Sequence, residues 1–258
     1  MHTMLLQAAT LGRRAVVRTA RQPANVVFPL IFPMLLLAVN AGGLKAETNL
    51  PGFPTDSFLA FALAVPFVQG ALLATVNANV EFARDIQTGF LNRLALTPVR
   101  GLVLLVGQLG GLLTIALIQA VFYLVVAVAF GVRLETGFAG AGLLLVLEAM
   151  IALAFASFGS WAALRTGSTE AVQGLFPVFF VFLFLSSMNI PRNLIETTWF
   201  RWVATANPVS YLIEAVRSLV IADWHWQTIG LGFAVAAGLS LVGFALATHA
   251  LVGRLART

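Results

Sequence analysis

The sequence predicts an all-α polytopic membrane protein, with six transmembrane helices, an N-terminal interfacial helix and an extracellular re-entrant segment before the last helix. Three observations predict it: the composition, the spacing of long apolar stretches, and the distribution of positive charge. Of 258 residues, 60% are hydrophobic and only 10% charged, with a mean hydropathy of +0.94. A soluble domain carries about a quarter charged residues. A chain this poor in charge is suited to face lipid rather than water.

A helix needs about 20 predominantly apolar residues to cross the hydrocarbon core. Six stretches approach this length: Val26–Gly42, Ser57–Asn79, Leu102–Phe130, Phe138–Leu164, Ala171–Met188 and Thr228–Val252. Pro29 and Pro33 should kink the first or delay its regular helix. A basic region precedes this stretch, but five more follow, so it reads as a retained helix rather than a signal peptide. Val209–Ala222 is too short to span and carries Glu214 and Arg217, which makes it a re-entrant or interfacial segment.

Ten basic residues fall on one side of this arrangement: Arg13, Arg14, Arg18, Arg21, Arg84, Arg93, Arg100, Arg165, Arg254 and Arg257. The other five, Lys45, Arg133, Arg192, Arg201 and Arg217, fall opposite. Positive charge is retained on the cytoplasmic side. The expectation is a multi-pass protein of the cell membrane with both termini cytoplasmic. The net charge of +5 then faces anionic headgroups and implies no nucleic-acid partner.

Residues 3–21 mix leucine and valine with four arginines, and Arg14, Arg18 and Arg21 share one helical face. This predicts a helix lying in the cytoplasmic interface. No internal repeat or low-complexity tract divides the chain, so residues 1–258 read as one transmembrane domain.

Two polar segments carry the functional signal. In the cytoplasmic segment, residues 81–98, Phe90, Leu91, Leu94 and Leu96 form an apolar face, and Glu81, Arg84, Asp85 and Arg93 a charged one. Pro98 ends the pattern, since it lacks an amide donor and restricts Thr97. A short amphipathic element joined to two spans suits docking in a partner's groove. The second segment, residues 189–226, is too charged to span. Within it Asn207 can cap a turn, Pro208 suits a first helical position, and Tyr211, Glu214 and Arg217 follow at helical spacing. Glu214 and Arg217 can pair on one face. These residues either hold a re-entrant hairpin in place or touch substrate. Trp199, Trp202, Trp224 and Trp226 flank the segment as expected of a headgroup-level belt.

The run from Asp85 through Gly89, Leu91, Leu94 and Pro98 to Val99 resembles the cytoplasmic loop of ABC-2 type transporter permeases, closest to the daunorubicin-resistance and Nod-factor-export branches. Asn207-Pro208, Tyr211 and Glu214-Ala215-Val216-Arg217 resemble that family's Asn-Pro, Tyr and Glu-Ala-x-Arg pattern, matched at every position. The family often has a second acidic residue after the glycine, where this chain has Phe90 and Asn92. The resemblance implies a permease that moves a hydrophobic or amphipathic substrate (a drug, a secondary metabolite or a lipid-linked glycan) out of the cytoplasm or inner leaflet. It implies two copies of a separate ATP-binding-cassette ATPase subunit, which would bind the ATP and Mg. It assigns ATPase coupling to Glu81, Arg84, Asp85, Gly89, Phe90, Leu91, Arg93, Leu94 and Pro98. The expected assembly is a homodimer, or a pair with a paralogous permease.

Polar residues inside the spans are few. Glu148 sits within the fourth span, where an ionised carboxylate costs about 3 kcal/mol. It should face protein or a water-filled cavity, and with Gln69 it is a candidate for a substrate path. Asn77, Asn79, Gln108, Gln119 and Tyr123 are expected to hydrogen-bond between helices. Gly107 and Gly111 form a small-xxx-small pair.

The sequence contains no Gly-x-x-x-x-Gly-Lys-Ser/Thr loop, so a backbone cradle for ATP phosphates falls to another chain and no cofactor is expected here. There is no cysteine, and His2, His225 and His249 are too scattered to suggest a metal site or a catalytic centre. The alternative reading is a proton-coupled secondary transporter that uses Glu148.

Overall fold

The computed structural model describes residues 10, 12–14, 16, 17, 21, 23–89, 101–222 and 224–255. The described elements are helical. In chain order they are α1 (Pro23–Gly43), a short 3-10 turn (Lys45–Asn49), α2 (Phe58–Ala62), α3 (Ala64–Gln87), α4 (Gly101–Ala129), α5 (Gly137–Thr166), α6 (Thr169–Phe184), a second 3-10 turn (Arg192–Leu194), α7 (Thr198–Ala206), α8 (Pro208–Ile221) and α9 (Trp226–Leu255).

Five stretches of helix are long and apolar enough to cross a membrane among the described residues: Val26–Gly43, Phe58–Gln87, Val103–Ala129, Gly137–Thr166 and Trp226–Arg254. The expected fifth span behaves differently. Regular helix covers only Thr169–Phe184, 16 residues, about 24 Å at 1.5 Å per residue, against a core of about 30 Å. Helix α6 starts where Ser168 accepts a hydrogen bond from the Ala171 amide at 3.1 Å, the expected N-cap geometry. It ends at Leu185, before the Ser186–Ser187 pair.

Helices α2 and α3 form one span, interrupted at Leu63 because Pro66 has no amide to offer the Ala62 carbonyl. This span is the most enclosed of the five, with 89% of its most apolar window buried. The predicted span ended at Asn79, but the helix runs on through Glu81, Arg84 and Asp85 to Gln87. The first part of the 81–98 segment is therefore a continuation of a core helix, not a separate amphipathic piece. Phe90, Leu91, Arg93, Leu94 and Pro98 lie outside the described residues, as does most of the 3–21 arm. Those arm residues that are described, Thr10, Gly12–Arg14, Val16 and Val17, are helical.

Two apolar clusters mark the ends of the bundle. One joins Ala83, Ile86, Leu105, Leu164, Val172 and Leu251, and Arg14 and Arg254 both sit at this end through contacts with Asp85 and Leu164. The larger cluster joins Phe61, Phe67, Leu144, Leu147, Ile213 and Val216. Helix α8 is buried within it along most of its length. Its last turn is tied to the start of α5, where the Thr136 hydroxyl and the Glu135 amide both donate to α8 carbonyls.

Candidate functional site

The densest polar cluster lies where α6 ends and α8 begins. Asn207 is the N-cap of α8, its Oδ1 accepting from the Val209 amide at 2.9 Å, with Pro208 at the first helical position. The amide nitrogen of the same side chain donates to the Phe182 and Leu185 carbonyls, at 2.5 and 2.9 Å. Those carbonyls belong to the last turn of α6, which has no following helical amides to pair with. One side chain thus caps the start of one helix and the end of another. Ser210 reinforces the join by accepting from the Ser187 amide at 3.2 Å.

Arg217 continues the same construction. It is only 6% exposed, and its guanidinium donates to the carbonyls of Phe61 (3.1 Å), Ser187 (3.1 Å) and Met188 (3.0 Å). The guanidinium carbon stands 3.5 Å from the centre of the Phe61 ring, a cation–π geometry. The expected Glu214–Arg217 pair does not form. Glu214 instead receives Arg192, whose guanidinium also lies over the Tyr211 ring at 4.4 Å. Tyr211 donates to the Thr205 carbonyl at 2.9 Å. The reason for the exchange is geometric. The loop 185–191 offers buried carbonyls within reach of Arg217, and they need donors. Arg192 emerges from that loop beside Glu214. Sequence spacing within one helix carries no information about either.

The structure therefore brings Asn207, Pro208, Tyr211, Glu214 and Arg217 together as the anchor of a helical hairpin made by α6 and α8. Arg192, Ser187 and Ser210 belong to it as well. A cavity of about 420 Å³ opens beside the anchor, with Phe61, Arg192, Glu214, Arg217, Ser218 and His225 in its wall. The exposed indoles of Trp224 and Trp226, on either side of His225 in the sequence, stack on each other at 5.0 Å.

A second polar cluster lies in the bundle interior. The Pro29 carbonyl would normally receive the amide four residues on, but that residue is Pro33, which has none. Gln119 and the Tyr123 hydroxyl supply the missing donors from α4, at 2.7 and 2.5 Å. A Cβ on Gly70 would lie 2.6 Å from the Tyr123 ring, so α3 passes this point only as glycine. The helix thus runs through both prolines, with the orphaned carbonyl satisfied from its neighbour. Asn79 makes the corresponding tie between α3 and α5, donating to Ala156 at 3.2 Å and accepting from Ser160 at 2.8 Å. Gln108 reaches the Ala78 carbonyl at 3.5 Å.

Glu148 is 1% exposed and Gln69 likewise. Glu148 faces the bundle interior, as a membrane carboxylate must, and its Oε2 has no hydrogen-bond partner, nor has Gln69 Oε1. Neither residue lines the cavity beside Arg217.

At the opposite end, Arg14 pairs with Asp85 at 3.2 Å and Arg84 with Glu81 at 2.8 Å. Gly12 lies against Gly107 and Gly111, where a Cβ on it would come within 3.3 Å of the Gly107 carbonyl. The small-xxx-small pair is thus a seat for the N-terminal helix. Gly89 ends the described part of this region in the left-handed conformation, with φ of +71°. The sequence suggested an interfacial arm, but the contact with α3 and α4 had no readable signal beyond the glycine spacing.

A family model described as "ABC-2 type transporter" matches residues 6–221. The "Putative transport permease ycf38" of Pyropia yezoensis is 28% identical over 234 residues, covering 87% of this chain and 78% of that protein. The protein of the same name in Porphyra purpurea is 25% identical, covering 98% and 91%. The "Probable doxorubicin resistance ABC transporter permease protein DrrC" of Mycobacterium tuberculosis is 24% identical over 209 residues, covering 81% and 74%.

Proposed function

The chain belongs to the ABC-2 type transporter family, and from that premise we propose that it is the permease subunit of an exporter driven by a separate ATPase. In this reading two ATPase subunits, holding ATP and Mg, dock under the end that carries Arg14, Glu81, Arg84 and Asp85. The observation that carries it is the unbroken helix from Ala64 to Gln87. A push on residues near Asp85 is delivered straight into the most enclosed span of the bundle, since a helix transmits displacement along its axis without a hinge. The 90–98 stretch completes the contact.

The cargo is a hydrophobic or amphipathic molecule, and the two permease copies form its path. Six crossings follow if α6, extended by the residues after it, completes the fifth crossing beside α8. Both termini are then cytoplasmic. The hairpin anchor holds α8 as a re-entrant segment on the far side, while Glu148 and Gln69, both 1% exposed, lie inside one copy's helix bundle.

The test is reconstitution with a Walker-motif ATPase. Co-purification, with ATP turnover altered by the permease and the alteration lost in Asp85→Arg, supports the reading. Uphill movement of solute by the chain alone, collapsing with the proton gradient and in Glu148→Gln, would transfer the protein to the secondary carriers.

A further inference from the structure

The cavity beside Arg217 contains unspent donors. A guanidinium has five N–H groups, and Arg217 uses three of them on the carbonyls of Phe61, Ser187 and Met188. Two remain, in a residue 6% exposed that lines the cavity wall. Ser218, also 6% exposed, stands one residue on in the same wall. Its hydroxyl is buried without a hydrogen-bond partner. Buried polar groups are ordinarily paired, so each exception calls for an occupant.

Charge points the same way. Glu214 is bonded to Arg192 and also attracts Arg217 through space, while the hydrogen bonds of Arg217 itself go to neutral carbonyls. Two guanidinium groups against one carboxylate in the same wall leave it net positive, which favours an anion there. The depth is also informative. Trp224 and Trp226 flank His225, a residue of the cavity wall, and exposed indoles settle at the level of lipid headgroups. The volume, about 420 Å³, is in the range of sites for a small ligand.

The geometry points to a site for the phosphate headgroup of an amphiphile, with Arg217 and Ser218 as its donors and Ile221 and Phe61 as apolar neighbours. Planar guanidinium forks match phosphate oxygens, which supports phosphate over a neutral polar group. This inference rests on the membrane placement of the chain and not on its being driven by an ATPase.

The experiment uses the full chain in dodecyl maltoside micelles, which carry no phosphate, without any partner, titrated by calorimetry with dihexanoyl phosphatidic acid. Dihexanoyl glycerol and inorganic phosphate are the comparison probes. Saturable binding of the phosphatidic acid is expected, at least tenfold tighter than that of the glycerol. Ser218→Ala should weaken it about threefold to tenfold, and Ala222→Trp, which fills the cavity mouth without touching the anchor, at least tenfold. Unchanged thermal unfolding in both variants separates loss of the site from loss of the fold. Displacement by inorganic phosphate would show that the phosphate alone suffices. Failure of displacement, with the other results intact, would assign the site to a lipid-borne phosphate. Equal binding of the glycerol, or binding indifferent to both substitutions, overturns the proposal.

Discussion

The two ends of the bundle use charged residues in opposite ways. At the hairpin end, Arg217 and Asn207 are buried and donate to backbone carbonyls. At the other end, Arg14 and Arg84 leave 44% and 56% of their side chains exposed and pair with carboxylates. A bond to a buried carbonyl has no substitute in solvent, so losing it costs its full desolvation. An exposed ion pair competes with water and salt and contributes about 0–1 kcal/mol. By this measure Arg14 and Arg84 exchange partners more cheaply than Arg217 does, although their carboxylate partners are only 16% and 11% exposed. If an ATPase drives the bundle from the Asp85 end, as proposed above, that division is useful, with a rigid opposite end and a contact surface that can be remade.

The largest expected effect tests the fixed end. Arg217→Gln leaves buried carbonyls of Phe61, Ser187 and Met188 short of donors, at a cost of about 3 kcal/mol. Thermal unfolding in nanodiscs should show a clearly lowered Tm, and hydrogen exchange should rise first in residues 185–195. A Tm equal to that of the parent would mean the loop carbonyls find other donors, and the contrast between the ends would fail. Asn207→Ala removes a helix cap and two further bonds, and is expected to cost about 1–2 kcal/mol by the same measurement.

The interior offers a sharper test, because its cause can be removed. Tyr123→Phe deletes one donor to Pro29 and should cost about 1 kcal/mol. Pro33→Ala restores the helical amide that Pro29 lacks. In that background the same tyrosine substitution should cost much less, giving a coupling energy measurable by a double-mutant cycle. Strictly additive effects would show that the carbonyl is not what Tyr123 serves.

The sequence made some of this legible and hid the rest for identifiable reasons. Long apolar runs located the five spanning stretches within two residues at every end but one, because lipid demands continuous hydrophobicity; the second runs eight residues past Asn79, to Gln87. Asn207-Pro208 announced a helix start, since capping is a local property. Gln119 and Tyr123 were readable as interhelical hydrogen-bond partners, but Pro29 and Pro33 read only as a kink or a delayed helix start, and the Pro29 carbonyl as the shared acceptor emerged from the structure. By contrast, Ala171–Met188 is as greasy as the five spanning stretches, and hydropathy could not show that regular helix stops at Phe184. The partners of Arg217 and Glu214 were invisible too. They are set by a loop 22 to 30 residues away in sequence and, for Phe61, by a residue 156 away, while spacing arguments reach only one or two helical turns.

The smallest expected effect on stability belongs to the exchangeable end, and it is the one that bears on function. Arg14→Ala removes one partner of Asp85, with a side chain 44% exposed, and should change stability by less than about 1 kcal/mol. If that end is a contact surface, the same substitution should still alter the ATP turnover of a co-reconstituted ATPase. Asp85→Arg should do so more strongly, because it places a like charge beside Arg14. Combining Arg14→Asp with Asp85→Arg restores an ion pair of reversed polarity. Recovery of unfolding behaviour without recovery of turnover would show that the ATPase reads the sign of the charge at this end. Recovery of both would reduce the pair to a strut for the N-terminal helix. The two outcomes separate a docking surface from a brace, at a position where the energetic signal alone is too small to decide.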